Sequence, residues 1–578
     1  MSLFARNNQA RELGFDLYEG RDASDPQRTW DEYCGFLGLS LDDYVHIQRR
    51  LMEEQLVLWC PSGIGKSILK GKKPTSIEEF RECVPLTTYD DYADILLARR
   101  EDMLPLPAVT WVETTWEGGK RPIKLAPYTQ GILDSFKRNG KAIIMLASAT
   151  DWAQYRIGTN VLSGLAPLPY LTGLMGIILD QEFHFRFMPP HKTTTTMGFS
   201  QRMKYGFKMA LSSGVDYFLT MGSVGSFMSK KLAGAVASGA SVGSSHAKSG
   251  ASTGAGASDA AAAESKSGKS VPSLAMARRV LKARRKAARE GRELLPKDLF
   301  DLRGFVIAGT DNACYKDELE QQWGIRPMEL FAGTECGLVG TETWNRTSLY
   351  FFPDACFYEF LPEEFVRSTN KNLPTLTIDQ VQAGELYELV ITSLKGGAFA
   401  RYRTGDMYRC AGIGSAADHS SLPRFVYVDR VPGVIDIAGF TRITENSIKE
   451  VVALSRLPIV GWCAAKEYEK QTRHPFLHMY IELDPHALES LAVSEAIIRS
   501  HLEIYFKYLD TDYDSLRTIL EMEPLQITFL QTGSFAAYEK REGAPIDAIN
   551  PSQRQIVQLR GIMATDWPYV HESQAMGL

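Results

Sequence analysis

Phe305-Val306-Ile307-Ala308 is an uninterrupted apolar run that stops at Gly309-Thr310, and a run of that length bounded by turn residues reads as a buried strand. Leu386 to Thr392 and Phe425-Val426-Tyr427-Val428 repeat the signal. Helical stretches lie between such runs, so the chain is predicted to build an α/β core. With 578 residues, 44% of them hydrophobic and 23% charged, there is apolar material for more than one core. Beyond Gly433 the pattern changes. Ser447 to Leu454 is predicted helical, His478 to Leu483 a strand, and Ser494 to Tyr508 helical. This defines a smaller α/β domain over residues 431–578, behind a large domain over 1–430.

Composition breaks most sharply from Ala233 to about Pro272, where alanine, glycine and serine dominate. Such a segment buries too little surface to offset its ordering entropy, and 233–272 is expected to be a disordered insertion. The GxSxG strings inside it, at Gly239–Gly243 and Gly250–Gly254, arise from that bias and not from a strand-to-helix nucleophile elbow. Leu274 to Leu295 follows as a basic helix carrying Arg278, Arg279, Lys282, Arg284, Arg285, Lys286, Arg289 and Arg292. With no aromatics interleaved, it reads as a solvated face closing the insertion.

Ile157 to Leu179 carries no charged side chain, yet Pro167, Pro169 and four glycines interrupt it, which suits a buried strand-loop-helix passage better than a membrane span. A net charge of -5 and a pI near 6.1 give no global attraction to nucleic acid or an anionic membrane. The eight cysteines are scattered without a CxxC pair, as expected of free thiols in a reducing compartment. Met1 to Asp22 mixes charges of both signs with few apolar residues, so no signal-peptide core is expected. Together these place the chain in the cytoplasm.

Cys60-Pro61-Ser62-Gly63-Ile64-Gly65-Lys66-Ser67 ends like a phosphate-binding Walker loop, but Cys60 replaces the first glycine and no clear strand leads in, so it is read as a chance match. His474 and His478 are four apart with Pro475 between them, which excludes a helical metal pair. Three other strings cohere. Phe331-Ala332-Gly333-Thr334-Glu335 offers an aromatic face for a base, a hydroxyl and a carboxylate able to hold Mg2+ against a phosphate. Tyr402-Arg403-Thr404-Gly405-Asp406 ends on an aspartate that can accept hydrogen bonds from both ribose hydroxyls. Asp429-Arg430, ahead of Val434-Ile435-Asp436-Ile437-Ala438-Gly439, adds a guanidinium for the sugar and phosphate.

In this order and spacing the strings resemble the acyl-adenylate-forming superfamily, and within it the Gretchen Hagen family of auxin-responsive acyl-acid amido synthetases, in a bacterial-type version. Phe80 to Tyr92, Lys124 to Thr129, Tyr358-Glu359-Phe360 and Gly384 to Val390 extend the resemblance over nearly the whole chain outside the insertion. It implies a large adenylation domain with mixed β-sheets flanked by helices, a hinge near Val431 to Gly433 and a small mobile C-terminal α/β domain. It further implies ATP and Mg2+ as cofactors, a small carboxylic acid as substrate and an amine such as an amino acid as acceptor. The implied catalytic residues are Glu335, which also holds the metal, Thr334 and Arg430. The implied nucleotide contacts are Thr114, Thr115, Gly118, Gly119, Gly309, Phe331 and Asp406. Two strings depart from the family. Trp116 and Glu117 stand in the phosphate loop, Thr114 to Lys120, where small and hydroxyl residues are usual, and Gln555 stands where a lysine is usual. The readings that remain beside the ligase are a catalytically degenerate nucleotide- or acyl-binding sensor or partner-recruiting protein, and an enzyme that passes the acyl group to a thiol of CoA or a carrier protein.

Overall fold

A computed structural model of the chain describes residues 26–114, 123–194, 196–237, 274–439, 441–484, 498–500, 502–504 and 524–565. The first strands, β1 (Thr110–Thr114) and β2 (Lys124–Tyr128), form an antiparallel hairpin. A seven-stranded sheet follows, from β3 (Asn160–Ser163), β4 (Arg186–Met188), β5 (Tyr217–Met221), β6 (Gly304–Ala308), β7 (Met328–Gly333), β8 (Gly337–Thr341) and β9 (Tyr350–Phe351), in spatial order β4-β3-β5-β6-β7-β8-β9. Its β4-to-β7 half is parallel, and β8 and β9 are antiparallel additions. Parallel strands need helical crossovers, which is why the apolar run of β6 is buried at every position. Ligand clefts in such sheets open at the carboxyl ends of the strands.

A second, antiparallel sheet runs β10 (Cys356–Pro362), β11 (Leu386–Ser393), β12 (Tyr402–Ser415) and β13 (Ser420–Arg430) in that order. The hairpin β14 (Val434–Ile437) and β15 (Thr441–Thr444) leads into a three-stranded sheet. There β16 (Ile459–Tyr468) is antiparallel to β17 (Pro475–Leu483), which is parallel to β18 (Leu525–Leu530). The α/β reading of the sequence is met, with the strands foreseen in β6, β11, β13 and β17 and the helix Glu445–Ser455 in place. Of Ser494 to Tyr508, residues 498–500 and 502–504 are helical and the rest lie outside the described residues.

The helix Leu41–Trp59 shows how local chemistry sets the packing. Ser40 caps it by accepting from the Asp43 amide at 3.1 Å, and Asp42 and Asp43 complement the helix dipole. Its buried residues, Tyr44, Gln48, Leu51, Met52, Gln55, Leu56 and Trp59, recur at helical spacing on one face. The two glutamines on that face donate to the carbonyls of Cys356 at 2.7 Å and Gly397 at 3.0 Å, fixing the helix to the second sheet. The Walker-like string therefore follows a helix, not a strand. Ser62 caps the short helix Gly63–Leu69, and a Cβ on Gly65 would sit 2.0 Å from the Trp59 carbonyl oxygen, so the glycine serves a tight helix-helix turn.

Ile157 to Leu179 forms β3, a loop and the start of the helix Leu171–Phe183, the strand-loop-helix passage foreseen, and no helix among the described residues is long and apolar enough to cross a membrane. All eight cysteines are free. The insertion begins later than its composition suggests. Residues 233–237 complete the helix Gly222–Ala237, since alanine-rich sequence readily prolongs a helix already packed on a sheet. Residues 238–273, including both GxSxG strings, lie outside the described residues. The basic helix ends at Arg289 instead of Leu295. Pro296 holds Leu295 extended, and Arg292 turns back to Asp298 at 2.7 Å. Met276, Ala283 and Ala287 of this helix are buried, while Arg278, Lys282, Arg285 and Arg289 face outward.

The C-terminal sheet is joined to the rest through an apolar cluster and a buried charge. Ile435, Ile437, Ile448, Leu477 and Met479 belong to one cluster with Phe218, Phe305, Leu319 and Trp323. Lys466 of β16 lies 2.5 Å from Asp311, at the start of the helix Asn312–Trp323, and 3.0 Å from Asp429 of β13. Burial opposes the lysine's charge, but the two carboxylates hold its pKa well above the ordinary value.

Candidate active site

The carboxyl ends of β3, β5, β6 and β7 border a cavity of about 480 Å³, closed on the other side by β12, β13, β14 and the β1 strand. The loop between β7 and β8 reaches into it. Gly333 pairs with Gly337, so Thr334, Glu335 and Cys336 form a three-residue hairpin loop. Tyr128 donates to the Thr334 carbonyl at 3.0 Å and Ser393 to the Glu335 carbonyl at 3.0 Å, so one anchor from each sheet region fixes the loop. The Glu335 carboxylate accepts from the Tyr402 hydroxyl at 2.7 Å and faces the Lys124 ammonium at 3.4 Å. Lys124 in turn donates to Tyr402 at 3.1 Å. A carboxylate held by a phenol and a cation is oriented before any ligand arrives.

Asp406 enters from the second sheet. Gly405 precedes it with a φ of +75°, a conformation that favours glycine and lets the strand turn its aspartate inward. Asp406 is paired in register with Arg430 across β12 and β13, and the side chains meet at 2.9 Å. Burial pushes the Asp406 carboxyl up to about 6, against the pull of Arg430 and Arg442 and with help from Asp436 and Glu335. Arg430 also donates to the Thr404 carbonyl at 3.2 Å and lies 3.7 Å from Asp436. Asp436, on β14, accepts from Thr310 at 2.6 Å and from the Gly439 amide at 2.8 Å, with Arg442 at 3.6 Å. Phe331 lies edge-on to Tyr408 at 5.2 Å.

Of the residues singled out from the sequence, Glu335, Thr334, Arg430, Thr114, Gly309, Phe331 and Asp406 all border this one cavity. Thr115, Gly118 and Gly119, with Trp116 and Glu117, lie outside the described residues. Gln555 is described. Its side chain accepts from the Ser552 amide at 2.7 Å and caps the helix Gln553–Thr565, a structural use. His474 and His478 face Glu318 and Glu467 separately, and no group of three or more His, Cys, Asp or Glu among the described residues could hold a metal. A lone carboxylate still suits Mg2+, which is commonly held by one or two carboxylates together with substrate phosphates. Sequence reasoning missed Asp436, Arg442 and Arg202 as cavity groups, and Lys124 and Tyr402 as the partners that hold Glu335. Tyr402, Asp436 and Lys124 stand in strings that the sequence singles out, but their side-chain partners lie in other elements.

Residues 349–430 match the GH3 family central domain. The probable indole-3-acetic acid-amido synthetase GH3.1 of Oryza sativa subsp. japonica is 32% identical over 133 residues, which is 22% of this chain and about a fifth of that relative's length. Among solved structures, the AtGH3.15 acyl acid amido synthetase in complex with 2,4-DB is similar with a TM-score of 0.51, at 17% identity over 93% of this chain and 96% of that one. The 2-hydroxyisobutyryl-CoA ligase in complex with 2-HIB-AMP and CoA is similar with a TM-score of 0.53, at 13% identity over 88% and 93%. The match over residues 349–430 and the fold shared with these two solved structures agree with the resemblance that the motifs carry.

Proposed function

We propose that this chain, a GH3-type protein with an adenylate-forming fold, activates a carboxylic acid with ATP as an acyl-adenylate and joins it to an amine such as an amino acid. The observation that carries the reading is the convergence of the Asp406–Arg430 pair and the Glu335 loop on one cavity from two different sheets. Asp406 is assigned to the ribose hydroxyls, Arg430 to the sugar and phosphate, Phe331 to the base and Thr334 to the α-phosphate. Gly309 and Thr114, on the cavity wall, complete the nucleotide contacts, together with Thr115, Gly118 and Gly119. Glu335, with the ATP phosphates, would hold Mg2+, whose charge favours the negatively charged reacting phosphate.

In the first step an acid carboxylate oxygen attacks the α-phosphorus, and the bond to pyrophosphate breaks. The chain's own part is to align the two anions and offset their repulsion with Arg430 and the Thr334 hydroxyl. In the second, the amine attacks the acyl carbon, AMP leaves, and the amine's extra proton passes to solvent. The small domain over 431–578 is proposed to move between the steps. The eight free thiols support a reducing, cytoplasmic setting.

Pyrophosphate exchange into ATP over a panel of carboxylic acids tests the first step, and the addition of amino acids tests the second. Exchange with amide formation is the expected result. ATP binding without exchange would replace the ligase by a nucleotide sensor, and product formed only with CoA or a carrier thiol would replace the amine.

A further inference from the structure

The cavity has a second end. The proposed contacts to base, sugar and α-phosphate lie at β7, β12 and β13, with Gly309 after β6 and Thr114 on β1 beside them, whereas the helix Phe199–Ser213 packs on β3 and β4. In the sheet order β3-β5-β6-β7 those two ends are three strand spacings apart, about 14 Å at ~4.8 Å per strand. The far end is walled by Pro167, Leu171, Phe199 and Val224, an apolar lining suited to the body of an acid substrate. Arg202 is set into that lining. Its guanidinium lies 6.0 Å from the Phe199 ring and donates to the Met197 carbonyl at 3.2 Å.

The charges at the nucleotide end are compensated. Asp406 pairs with Arg430, Asp436 with Arg442, Glu335 with Lys124 and Glu329 with Lys316. Arg202 forms no ion pair among the described residues, and burial is the sole influence on its charge. Glu113, on the β1 wall, forms no ion pair with it. A partly desolvated guanidinium costs free energy unless an anion meets it, and burial does lower the hold of Arg202 on its proton. One neutral carbonyl is little compensation for a group with five donors in a fork shaped for a carboxylate.

We infer that Arg202 receives a second carboxylate of the acid substrate, so that the preferred acids are dicarboxylic, with an apolar spacer between the carboxyl to be activated and the one that stays free. This rests on the ligase reading for the role of the first carboxyl, but the anion site at Arg202 can be measured without turnover. The free carboxylate would fix how deep the acid enters, and so present the other carboxyl to the nucleotide end in one register.

The test is calorimetric binding of matched pairs to the full chain: hexanoic and hexanedioic, octanoic and octanedioic, decanoic and decanedioic acids, with glutamate as an amino-acid arm. At least one diacid should bind about tenfold tighter than its monoacid, since a charge-assisted pair in a partly desolvated site is worth a factor of that order. Arg202→Ala should erase the difference, Arg202→Lys should keep part of it, and ATP affinity should stay unchanged as a check on folding. The inference is overturned if no diacid is preferred, if the preference survives Arg202→Ala, or if that variant weakens glutamate alone, which would make Arg202 the acceptor's site. A diacid preference lost in Arg202→Ala without pyrophosphate exchange sinks the ligase reading and leaves the anion site standing. Exchange with monoacids and no Arg202-dependent preference does the reverse.

Discussion

Asp406 and Arg430 are register partners on β12 and β13, and their side chains meet at 2.9 Å within the cavity wall. The carboxylate is thereby held in place by a cation that has further partners in Thr404 and Asp436. Asp406→Asn keeps the shape but removes the charge. ATP affinity should fall by tenfold or more, consistent with the roughly 1.5–3 kcal/mol of a hydrogen bond to a charged group. Calorimetry with ATP checks it, and an unchanged affinity would remove Asp406 from the ribose site.

The raised pKa of Asp406 gives a pH dependence with two opposite signs. Ribose hydroxyls need the carboxylate as acceptor, so adenosine binding should weaken as pH falls through about 6. Stability runs the other way. A carboxyl whose folded pKa lies above its unfolded value favours folding when protonated, so that contribution is present at low pH and lost as pH rises through about 6. Adenosine is the right probe because it carries no phosphate to titrate. Asp406→Asn should flatten its affinity profile between pH 5 and 7.

Glu335 is oriented by Tyr402 and Lys124. Glu335→Gln should lower pyrophosphate exchange by at least about a hundredfold while ATP still binds, because the proposed metal contact acts on the reacting phosphate. Tyr402→Phe, which removes the 2.7 Å hydrogen bond to Glu335 and the 3.1 Å one from Lys124, should cost about tenfold and raise the Mg2+ concentration needed for half-maximal exchange. Equal losses of ATP binding and exchange in both variants would argue that Glu335 is a packing residue.

Lys466→Ala would leave Asp311 buried beside Asp429 without its cation. Breaking such a pair from one side typically costs about 3–5 kcal/mol. The variant should melt earlier and be cleaved faster by protease near residues 431–440. Adding Asp311→Asn should recover part of the loss, because it removes the stranded charge. No change in melting would mean that water already reaches the pair.

The α/β architecture was legible because apolar runs such as β6 are buried on both faces and need no partner to be recognised. Glu335, Asp406 and Arg430 were legible because each sits in a string whose backbone shape and side-chain chemistry travel together. The length of the basic helix was misjudged because its stop depends on Arg292 and Asp298 as much as on Pro296. Lys124 stands in a noted string, Lys124 to Thr129, that does not show its partner, and Arg202 carries no local pattern. Lys124 stands 211 positions before Glu335, and only the closure of the β1–β2 hairpin over the β7–β8 loop makes them neighbours. Arg202 is distinguished by having no ion-pair partner among the described residues, a property of the fold and not of any window of sequence.

Asp429, the outer partner of Lys466, immediately precedes Arg430 in β13. The C-terminal sheet therefore holds the same short stretch of backbone that aims the guanidinium at Asp406, the residue proposed for the ribose. If the proposed sugar contact holds, unseating that sheet would slacken it and a bound sugar would brace the sheet, so posture and cargo would be read by each other across a single peptide bond.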